Sequence, residues 1–425
     1  MNRGKIHQRK TEDMTEDSEY KTRHNKIDVF LKAGGWNVND PSKVIVEVDT
    51  KNSDFQKHYY KTVKETLNDP NADQKAYADY LLLDKYGSPL AIIEAKKSSK
   101  DPIIGQKQAE GYADDIERQT GKDVFVFLSN GYEIWFWNRA FENPRMIKGF
   151  HSREALERIK YQNNNRKPFI EVPIKKEIVD RDYQLEAIKR ITEGLDRGKR
   201  KFLIVHATGT GKTRTAMALI DVLLRSNRAQ KVLFLADRKA LKDQAYDDGF
   251  LTFFPNELKN RISSKVIKKN CRLFVSTIQT FMECYQEFSV GDFDVIVSDE
   301  CHRSIYNKWK DVFTYFDAIE IGLTATPSDM IEKDTFRFFD CRNNIPTHVY
   351  TYEDAIKDKW LVPFEIYKTQ THFQIAGVKA ADIPSDVLRE LLESGVEPED
   401  INFEGTDIEK KVAVIGTNEA IGFTQ

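Results

Sequence analysis

Three charged side chains in the first quarter of the sequence have the types and spacing that metal-dependent phosphodiester chemistry needs. In YADYLLLDKYGSPLAIIEAKKS, residues 77–98, Asp79 opens one apolar run and the next run ends in Glu94 and Lys96. Positions two apart project from the same face of a strand. Two carboxylates can hold Mg²⁺ against a phosphate, and a lysine can stabilise developing charge or help to activate water. The pattern predicts a metal site, although an acid followed by E-x-K also occurs at ordinary exposed strand ends.

A second stretch, VHATGTGKTRTA at residues 205–216, has the residue types of a phosphate-binding loop. An apolar strand leads into a glycine-containing loop and then a helix, so backbone N–H groups can face phosphate oxygens. Lys212 would bring positive charge to the β- and γ-phosphates of ATP, and Thr213 a hydroxyl ligand to Mg²⁺. His206 stands where the strict GxxxxGK[ST] pattern has glycine. The predicted ATP-binding residues of this loop are Thr208, Gly209, Thr210, Gly211, Lys212 and Thr213.

Two acids follow another apolar run, FDVIVSDECHRS at residues 293–304. In open α/β sheets, ligands bind at the carboxyl ends of the strands, which is where Asp299 and Glu300 would lie. Asp299 is predicted to hold Mg²⁺ through water, and Glu300 to orient and deprotonate the attacking water. Alone, this stretch is also typical of a solvated acidic turn; beside the phosphate loop, it predicts an ATPase site.

The composition is that of an ordinary soluble globular protein. The 425 residues are 40% hydrophobic and 31% charged, a length that favours roughly three domains. The net charge of −2 provides no global basic field, so DNA binding would depend on local patches. Four widely spaced cysteines without CxxC pairing argue against a zinc site or a disulfide scaffold. Without an apolar run near ~18 residues or a signal peptide, the predicted location is the cytoplasm.

The elements that must position these residues form two groups. Upstream, TRHNKIDVFLKAGGWNV predicts a helix closed by glycines, and VFVFLSNGYEIWFWN predicts two strands around an Asn-Gly turn. Downstream, KFLIV, KVLFLA, LFVST and FDVIVSDE alternate with helix-length segments, as in a parallel sheet wrapped by helices. The seam is YQNNNRKP, residues 161–168. The sequence therefore predicts an α+β domain followed by an α/β domain.

The downstream half resembles the first motor domain of superfamily 2 helicases and translocases, because ATGTGKT, DECH and GLTATP occur in the order of motifs I, II and III. RDYQLEAI resembles the Q motif, which implies that Gln184 binds the adenine edge. FLADRKALKDQ and VSTIQT resemble motifs Ia and Ib. The resemblance implies DNA contacts by Arg238, Thr277 and Gln279, and coupling of ATP state to DNA grip by His302, Thr324 and Thr326. Ordinary surface or structural positions would also account for these six residues.

The upstream half resembles the PD-(D/E)xK nuclease core, with Asp79 as the first acid and EAK as the second half. GWNV follows the first predicted helix, QAEGY lies on the next predicted helix, and the motor-like motifs come later in the sequence. Together these features resemble the N-terminal part of the R subunit of type I restriction enzymes. That resemblance implies DNA contacts by Gln108 and Tyr112. It also implies ATP and Mg²⁺ as cofactors. The implied partners are double-stranded DNA and the DNA-recognition and methyltransferase subunits.

The expected fold class is α/β, with an α+β PD-(D/E)xK nuclease-like domain followed by a RecA-like P-loop NTPase domain. We expect a disordered N-terminus at 1–20, a nuclease domain at 21–160, a linker at 161–175, a RecA-like domain at 176–370 and a connector at 371–425. No second RecA-like unit is recognisable after GLTATP. We therefore expect the chain to be a fragment that binds ATP but turns it over poorly, because the second motor domain supplies the arginine finger.

The expected function is that of an ATP-dependent DNA translocase and endonuclease subunit of a type I restriction-modification system, which cleaves phosphodiesters with Mg²⁺. Two other classes stay open. One is a helicase or remodelling translocase whose N-terminal domain binds nucleic acid without cleaving it. The other is a non-catalytic module that binds ATP and docks onto a partner complex. Mg²⁺-dependent cleavage that is lost in Asp79→Ala would favour the endonuclease function over both of these classes.

Overall fold

The computed structural model describes residues 19–49, 77–263, 267–301, 310–326 and 333–363, together with two short strands further along the chain. The chain divides into two units, Met1–Leu361 and Val362–Gln425. The described part of the second unit is an antiparallel pair, Val378–Lys379 with Asn402–Phe403. The expected disorder of residues 1–18, the coupling residue His302 and most of the expected connector lie outside the described residues.

The first sheet has six strands whose spatial order follows the chain. The strands are β1 Val44–Asp49, β2 Tyr77–Leu83, β3 Pro89–Ala95, β4 Phe125–Ser129, β5 Ile134–Trp137 and β6 Arg145–Ile147. All neighbouring pairs are antiparallel except β3 and β4. A parallel pair needs a crossover connection, and the helix Gln106–Thr120 provides it.

Strand β3 lies in the middle of this sheet because both of its faces are covered. Every residue from Pro89 to Ala95 is buried, which explains why this run lacks the alternation of a half-exposed strand. The helix Gln106–Thr120 packs on one face, and Leu31 and Trp36 pack on the other with the large aromatic residues of the core. The ionisable groups at the end of β3 are therefore held on a rigid support.

The second sheet has seven strands, all parallel. Their order is β13-β7-β12-β11-β8-β10-β9. They span β7 Lys201–His206, β8 Val232–Ala236, β9 Lys259–Arg261, β10 Leu273–Thr277, β11 Val295–Asp299, β12 Ile319–Thr324 and β13 His348–Tyr350. One apolar cluster covers each face, as the buried runs β7, β8 and β11 require.

In the described residues, the α-helices are Glu19–Thr22, Asp28–Ala33, Gln106–Thr120, Arg153–Asn165, Asp182–Asp196, Lys212–Arg225, Lys239–Gln244, Ile278–Met282, Lys310–Tyr315, Lys333–Phe338 and Tyr352–Lys357. Arg153–Asn165 continues through the asparagines of the predicted seam, and the predicted domain boundaries remain predictions. In the described part of the chain, no helix is long and apolar enough to cross a bilayer. The predicted fold class is confirmed: a mixed sheet with helices precedes a parallel sheet wrapped by helices.

A buried ionic network joins the two sheets at the edge where β7 and β12 begin. Asp317 accepts hydrogen bonds from Nε and Nη2 of Arg145, at 2.6 and 2.8 Å. It also lies 3.0 Å from His151 Nε2 and 3.2 Å from Arg200 Nη2. Burial alone would raise the pKa of Asp317, but the guanidinium groups of Arg145 and Arg200 hold it well below its usual range. The network ties the two sheets together within one compact unit.

Candidate functional sites

The structure brings the three predicted N-terminal residues together where β2 begins and β3 ends. Tyr80 pairs with Ile93 across the antiparallel strands, so Asp79 and Glu94 adjoin that pair. The backbone N–H of Ala95 donates to Asp79 Oδ2 at 2.7 Å. Lys96 Nζ donates to Glu94 Oε1 at 2.6 Å. The two carboxylates and the ammonium therefore form one cluster at a single edge of the sheet.

The charged groups of this cluster are shielded from water. The side chains of Asp79, Glu94 and Lys96 are only 12%, 3% and 15% exposed. Buried charges need partners, and Arg23 contributes one: its Nη1 is 3.1 Å from Asp79 Oδ1 and also 3.1 Å from Glu47 Oε1. Sequence reasoning missed Arg23, since it lies far upstream on the first helical segment with no local pattern to mark it.

The predicted DNA-contact residues Gln108 and Tyr112 belong to the same cluster. Lys96 Nζ donates to Gln108 Oε1 at 2.9 Å, and Gln108 Nε2 donates to Tyr112 Oη at 2.5 Å. Burial raises the pKa of Tyr112. The hydrogen bond from Gln108 lowers this pKa, and the nearby Glu94 carboxylate raises it further. The chain of contacts fixes the position of the lysine ammonium. A DNA contact by Gln108 or Tyr112 remains a prediction.

The donor set of this cluster fits a hard divalent cation. Among the described residues, no group of three or more His, Cys, Asp or Glu side chains could hold a metal ion. Mg²⁺, however, commonly uses one or two carboxylates and keeps several waters or substrate oxygens. Asp79 and Glu94 provide two such carboxylates on adjoining strands. The arrangement suits Mg²⁺ and lacks the soft ligands of a zinc site.

The predicted phosphate-binding loop follows β7, and its shape depends on its backbone conformation. Gly209 and Gly211 have φ angles of +81° and +82°, which favour glycine. Thr210 Oγ1 donates to Ala207 O at 2.6 Å and closes the turn. Thr208 and Gly209 are exposed at the tip, and Thr213 is half-buried in the first turn of the helix Lys212–Arg225. Because this loop precedes a helix N-terminus, its N–H groups can surround a phosphate.

Lys212 and Gln184 hold the two ends of this loop. Lys212 Nζ donates to His206 O at 3.3 Å and lies 3.9 Å from Glu300 Oε1. The buried Gln184 donates from Nε2 to Thr210 O and Gly211 O, both at 3.3 Å. Gln184 thus braces the phosphate loop, while its contact with adenine remains a prediction.

The two predicted acids of the second sheet stand at the end of β11. Asp299 is 4% exposed, and burial together with the charge of Glu300 raises the pKa of its carboxyl to about 6. Glu300 has a φ of +51°, a left-handed conformation rare for a non-glycine residue, and its N–H donates to Asp299 Oδ1 at 3.1 Å. Because Lys212 lies near Glu300, the acids and the phosphate loop form one site.

The predicted coupling and DNA-contact residues lie at the same edge of the sheet. Thr324 ends β12, is buried and accepts a hydrogen bond from Thr326 N at 3.1 Å. Arg238, after β8, is exposed beside Asp237. Thr277 ends β10 and caps the helix Ile278–Met282 by accepting from Thr280 N at 3.3 Å, and Gln279 next to it is exposed. Their predicted coupling and DNA contacts remain predictions.

His206, which departs from the strict loop pattern, has a structural partner. Its Nε2 lies 2.9 Å from His348 Nδ1 on the neighbouring strand β13. Burial lowers the pKa of His206 to about 3 and that of His348 to about 4, so both rings are neutral near pH 7. Tyr183 stacks on Tyr350 at 3.7 Å and donates to Thr210 O. Sequence reasoning missed this support, because His348 lies 142 residues after His206.

Comparisons with known proteins match both halves of the chain. Residues 16–145 match the family model of the type I restriction enzyme R protein N terminus. Residues 177–329 match the family model of the type III restriction enzyme res subunit. A fragment from Vibrio vulnificus, described as an HsdR subunit of a type I restriction enzyme, is 26% identical over 81% of this chain and 61% of its own, with a TM-score of 0.36.

Two curated relatives come from Escherichia coli. The type I restriction enzyme EcoAI endonuclease subunit is 28% identical over 75% of this chain. The EcoKI endonuclease subunit is 24% identical over 93% of it. The chain spans 41% and 40% of the length of these two relatives. The two matched regions and these relatives support the resemblance of the chain to the N-terminal portion of type I restriction enzyme R subunits.

Proposed function

We propose that the chain is the nuclease and first motor portion of an ATP-dependent DNA translocase and endonuclease subunit of a type I restriction-modification system. The observation that carries this proposal is the convergence of Asp79, Glu94 and Lys96 at one edge of the first sheet. A separate phosphate loop with two acids stands on the second sheet. The two E. coli relatives, named as endonuclease subunits, support the same assignment.

In the proposed nuclease site, Asp79 and Glu94 would hold Mg²⁺. The ion, when bound, supplies charge stabilisation at the scissile phosphate and lowers the pKa of a bound water. Lys96, fixed between Glu94 Oε1 and Gln108 Oε1, places an ammonium where charge develops on phosphate oxygens. Gln108 orients Lys96, and Tyr112 in turn orients Gln108.

In the proposed ATP site, Lys212 would face the β- and γ-phosphates, while Thr213 and Asp299 would hold Mg²⁺. Glu300 would orient and deprotonate the attacking water. The strained φ of Glu300 supports this role, because such conformations persist where the surrounding structure fixes a functional group. Movement of double-stranded DNA, and assembly with DNA-recognition and methyltransferase subunits, belong to the same proposal.

Single substitutions in each site test the proposal. Lys96→Ala should lower Mg²⁺-dependent cleavage of plasmid DNA by at least about 100-fold and leave the affinity for a fluorescent ATP analogue unchanged. Lys212→Ala should weaken ATP-analogue binding and leave Mn²⁺ binding at the N-terminal site, measured by calorimetry, as in the wild type. Lys122→Ala, an exposed lysine on the first half of the chain, is the control and should change neither quantity.

The competing function is a helicase or remodelling translocase whose N-terminal domain binds DNA without cutting it. A wild type that binds DNA and Mn²⁺ without cutting would favour that competing function. Cleavage that survives in Lys96→Ala would contradict the role of Lys96 in the proposed nuclease site. Loss of ATP binding in Lys96→Ala would contradict the separation into two sites.

A further inference from the structure

A lysine and an exposed tyrosine form a platform beside the proposed nuclease site. Lys26 Nζ lies 3.9 Å from the centroid of the Tyr132 ring, which is a cation–π distance. Tyr132 is 60% exposed. One face of the ring is therefore open to a ligand. We call Lys26 and Tyr132 the rim pair.

The turn that carries Tyr132 is fixed by its neighbours. The buried Asn130 accepts hydrogen bonds at Oδ1 from the N–H groups of Tyr132 and Glu133, at 3.0 and 2.8 Å. Gly131 has a φ of +82°, and a Cβ there would lie 2.9 Å from Lys26 Cβ. The turn therefore needs glycine in order to approach the first helical segment, and the ring of Tyr132 is presented from a rigid support.

The same contacts tie the rim pair to the proposed catalytic lysine. Lys26 Nζ donates to Ser98 Oγ at 3.1 Å, and Ser98 is two residues after Lys96, at most about 7 Å of extended chain. The N–H of Lys96 donates to Ser129 O at 2.8 Å, directly before the turn. Asn130 Nδ2 donates to Lys100 O at 2.9 Å. The rim pair and the catalytic cluster are therefore joined through contacts with one loop, residues 96–101 after β3.

That loop adds positive charge beside the ring. Lys97 and Lys100 are exposed. Of the two nearby acids, Asp101 accepts a hydrogen bond from Ile103 N at 2.9 Å, and Glu133 lies 3.4 Å from the indole N–H of Trp135. Exposed cations next to a solvent-facing aromatic ring are the usual components of a surface that binds a nucleic acid strand.

We propose that the rim pair holds the DNA strand next to the scissile phosphate, with backbone phosphates at Lys26, Lys97 and Lys100 and a sugar or base against Tyr132. This inference rests on the proposed nuclease function and names the substrate contact of that site. No sequence motif marks it, since its two members come from the first helical segment and from the β4–β5 turn.

The chain contains a matched control. Lys85 Nζ lies 5.0 Å from the ring of Tyr86, which is 79% exposed in the turn between β2 and β3. This second pair has the same chemistry, but it stands at the opposite end of β3, about 20 Å from Glu94 and Lys96. A general effect of exposed Lys-Tyr pairs on DNA binding would appear equally at both places.

The test measures the affinity of the full chain for a short duplex with a single-stranded overhang, whose bases are free to stack on Tyr132, by fluorescence anisotropy in EDTA, so that no cleavage occurs. Tyr132→Ala should weaken binding by about tenfold, the scale of one stacked base. Tyr132→Phe should keep wild-type affinity, because the ring is retained. Tyr86→Ala should also keep it. Equal losses in Tyr132→Ala and Tyr86→Ala, or no loss in Tyr132→Ala, would overturn the proposal.

A photocrosslink gives a readout that is independent of overall affinity. A duplex carrying 5-iododeoxyuridine should crosslink to Tyr132 and not to Tyr86, as identified by mass spectrometry. A crosslink to Tyr132 in a chain that never cuts DNA would support the rim pair while contradicting the nuclease assignment. If cleavage depends on Lys96, but Tyr132 gives no crosslink and Tyr132→Ala binds DNA as tightly as the wild type, the nuclease assignment would be supported and the rim pair contradicted.

Discussion

The two proposed sites both stand at strand ends, but they are built from different parts of the chain. The site on the first sheet consists of side chains, and Asp79, Glu94 and Lys96 reach it from two paired strands. The site on the second sheet consists largely of backbone, shaped by Gly209 and Gly211 at positive φ. The first therefore depends on strand register, whereas the second depends on local conformation.

This difference implies different vulnerabilities. A side-chain site can lose its chemistry while the backbone beneath it stays intact, because the buried strand β3 is supported from both faces. A backbone site has no such separation, since any residue that resists the loop conformation disturbs both folding and ligand binding. Substitutions at the first site should therefore change binding without changing stability, and substitutions at the second site should change both.

The greatest loss of stability should come from Asp317→Asn, which removes the anion shared by the two regions. Arg145 and Arg200 would keep half-buried guanidinium groups without that partner, at a cost of roughly 3 kcal/mol in the free energy of unfolding. Because Asp317 contacts Arg145 on β6 and lies two residues before β12, hydrogen exchange should accelerate in peptides from β6 and from β12 alike. Mass spectrometry of exchanged peptides measures both.

The control for this change is Asp334→Asn, an exposed aspartate 3.2 Å from Arg337. A surface pair of this kind contributes ~0–1 kcal/mol, so the exchange rates should stay near those of the wild type. Acceleration confined to one sheet in Asp317→Asn would show that the regions unfold separately. In that case the comparison would concern two independent domains.

The same contrast decides what could be predicted from the sequence. The predicted phosphate loop occupies consecutive positions, so residue types alone were sufficient to predict the strand, the glycine-containing turn and the helix that the structure shows. Asp79 and Glu94 needed the additional inference of two paired strands, which the register of Tyr80 with Ile93 bears out. The fold class and the family resemblance were also predictable, because buried parallel strands give continuous apolar runs and the motifs consist of neighbouring residues.

Contacts between distant segments were not predictable. Arg23 reaches Asp79 only because the first helical segment packs on the sheet, and no local periodicity encodes that contact. His206 pairs with His348 through a strand, β13, that is only three residues long. Such short or distant elements carry little pattern, and tertiary packing decides them.

Substitutions of Gly211 and Gly105 test whether each site depends on backbone conformation or on side-chain position. In Gly211→Ala, the new Cβ would lie 2.9 Å from Gln184 Nε2 at a φ of +82°, so we expect ~1–2 kcal/mol of destabilisation together with weaker ATP-analogue binding. In Gly105→Ala, φ is −77° and the Cβ would lie 2.8 Å from Lys96 Cε, the flexible end of a side chain. Cleavage should therefore fall with little change in the melting temperature.

Gly198→Ala serves as the control for strain alone, because its φ is +80° and no atom lies within 4 Å of the added Cβ. It should lower stability about as much as Gly211→Ala without changing nucleotide binding. If Gly105→Ala destabilised the protein more than Gly211→Ala, the site on the first sheet would be the one that depends on backbone conformation, and the comparison would be wrong.

Two Lys–Glu pairs in the described part of the chain have a buried glutamate and differ in their N–O distance. Glu94 lies 2.6 Å from Lys96, whereas Glu320 at the start of β12 lies 3.6 Å from Lys201. Burial raises the pKa of Glu320 to about 7, with Lys201 offsetting only part of the effect. A raised folded-state pKa means that the folded protein binds the proton more tightly, so this contribution to stability is present at low pH and is lost as the pH rises through about 7.

Glu320→Gln removes this titration while preserving the shape of the side chain. Relative to the wild type, the variant should gain roughly 1–3 kcal/mol of unfolding free energy between pH 5 and pH 8, measured from urea denaturation at both values. Glu193→Gln is the matched control, since Glu193 also lies 3.6 Å from an arginine but is 46% exposed. Its difference from the wild type should not change with pH. A pH-independent difference in Glu320→Gln would mean that Lys201 compensates the buried carboxylate fully, and the two Lys–Glu pairs would then be equivalent despite their distances.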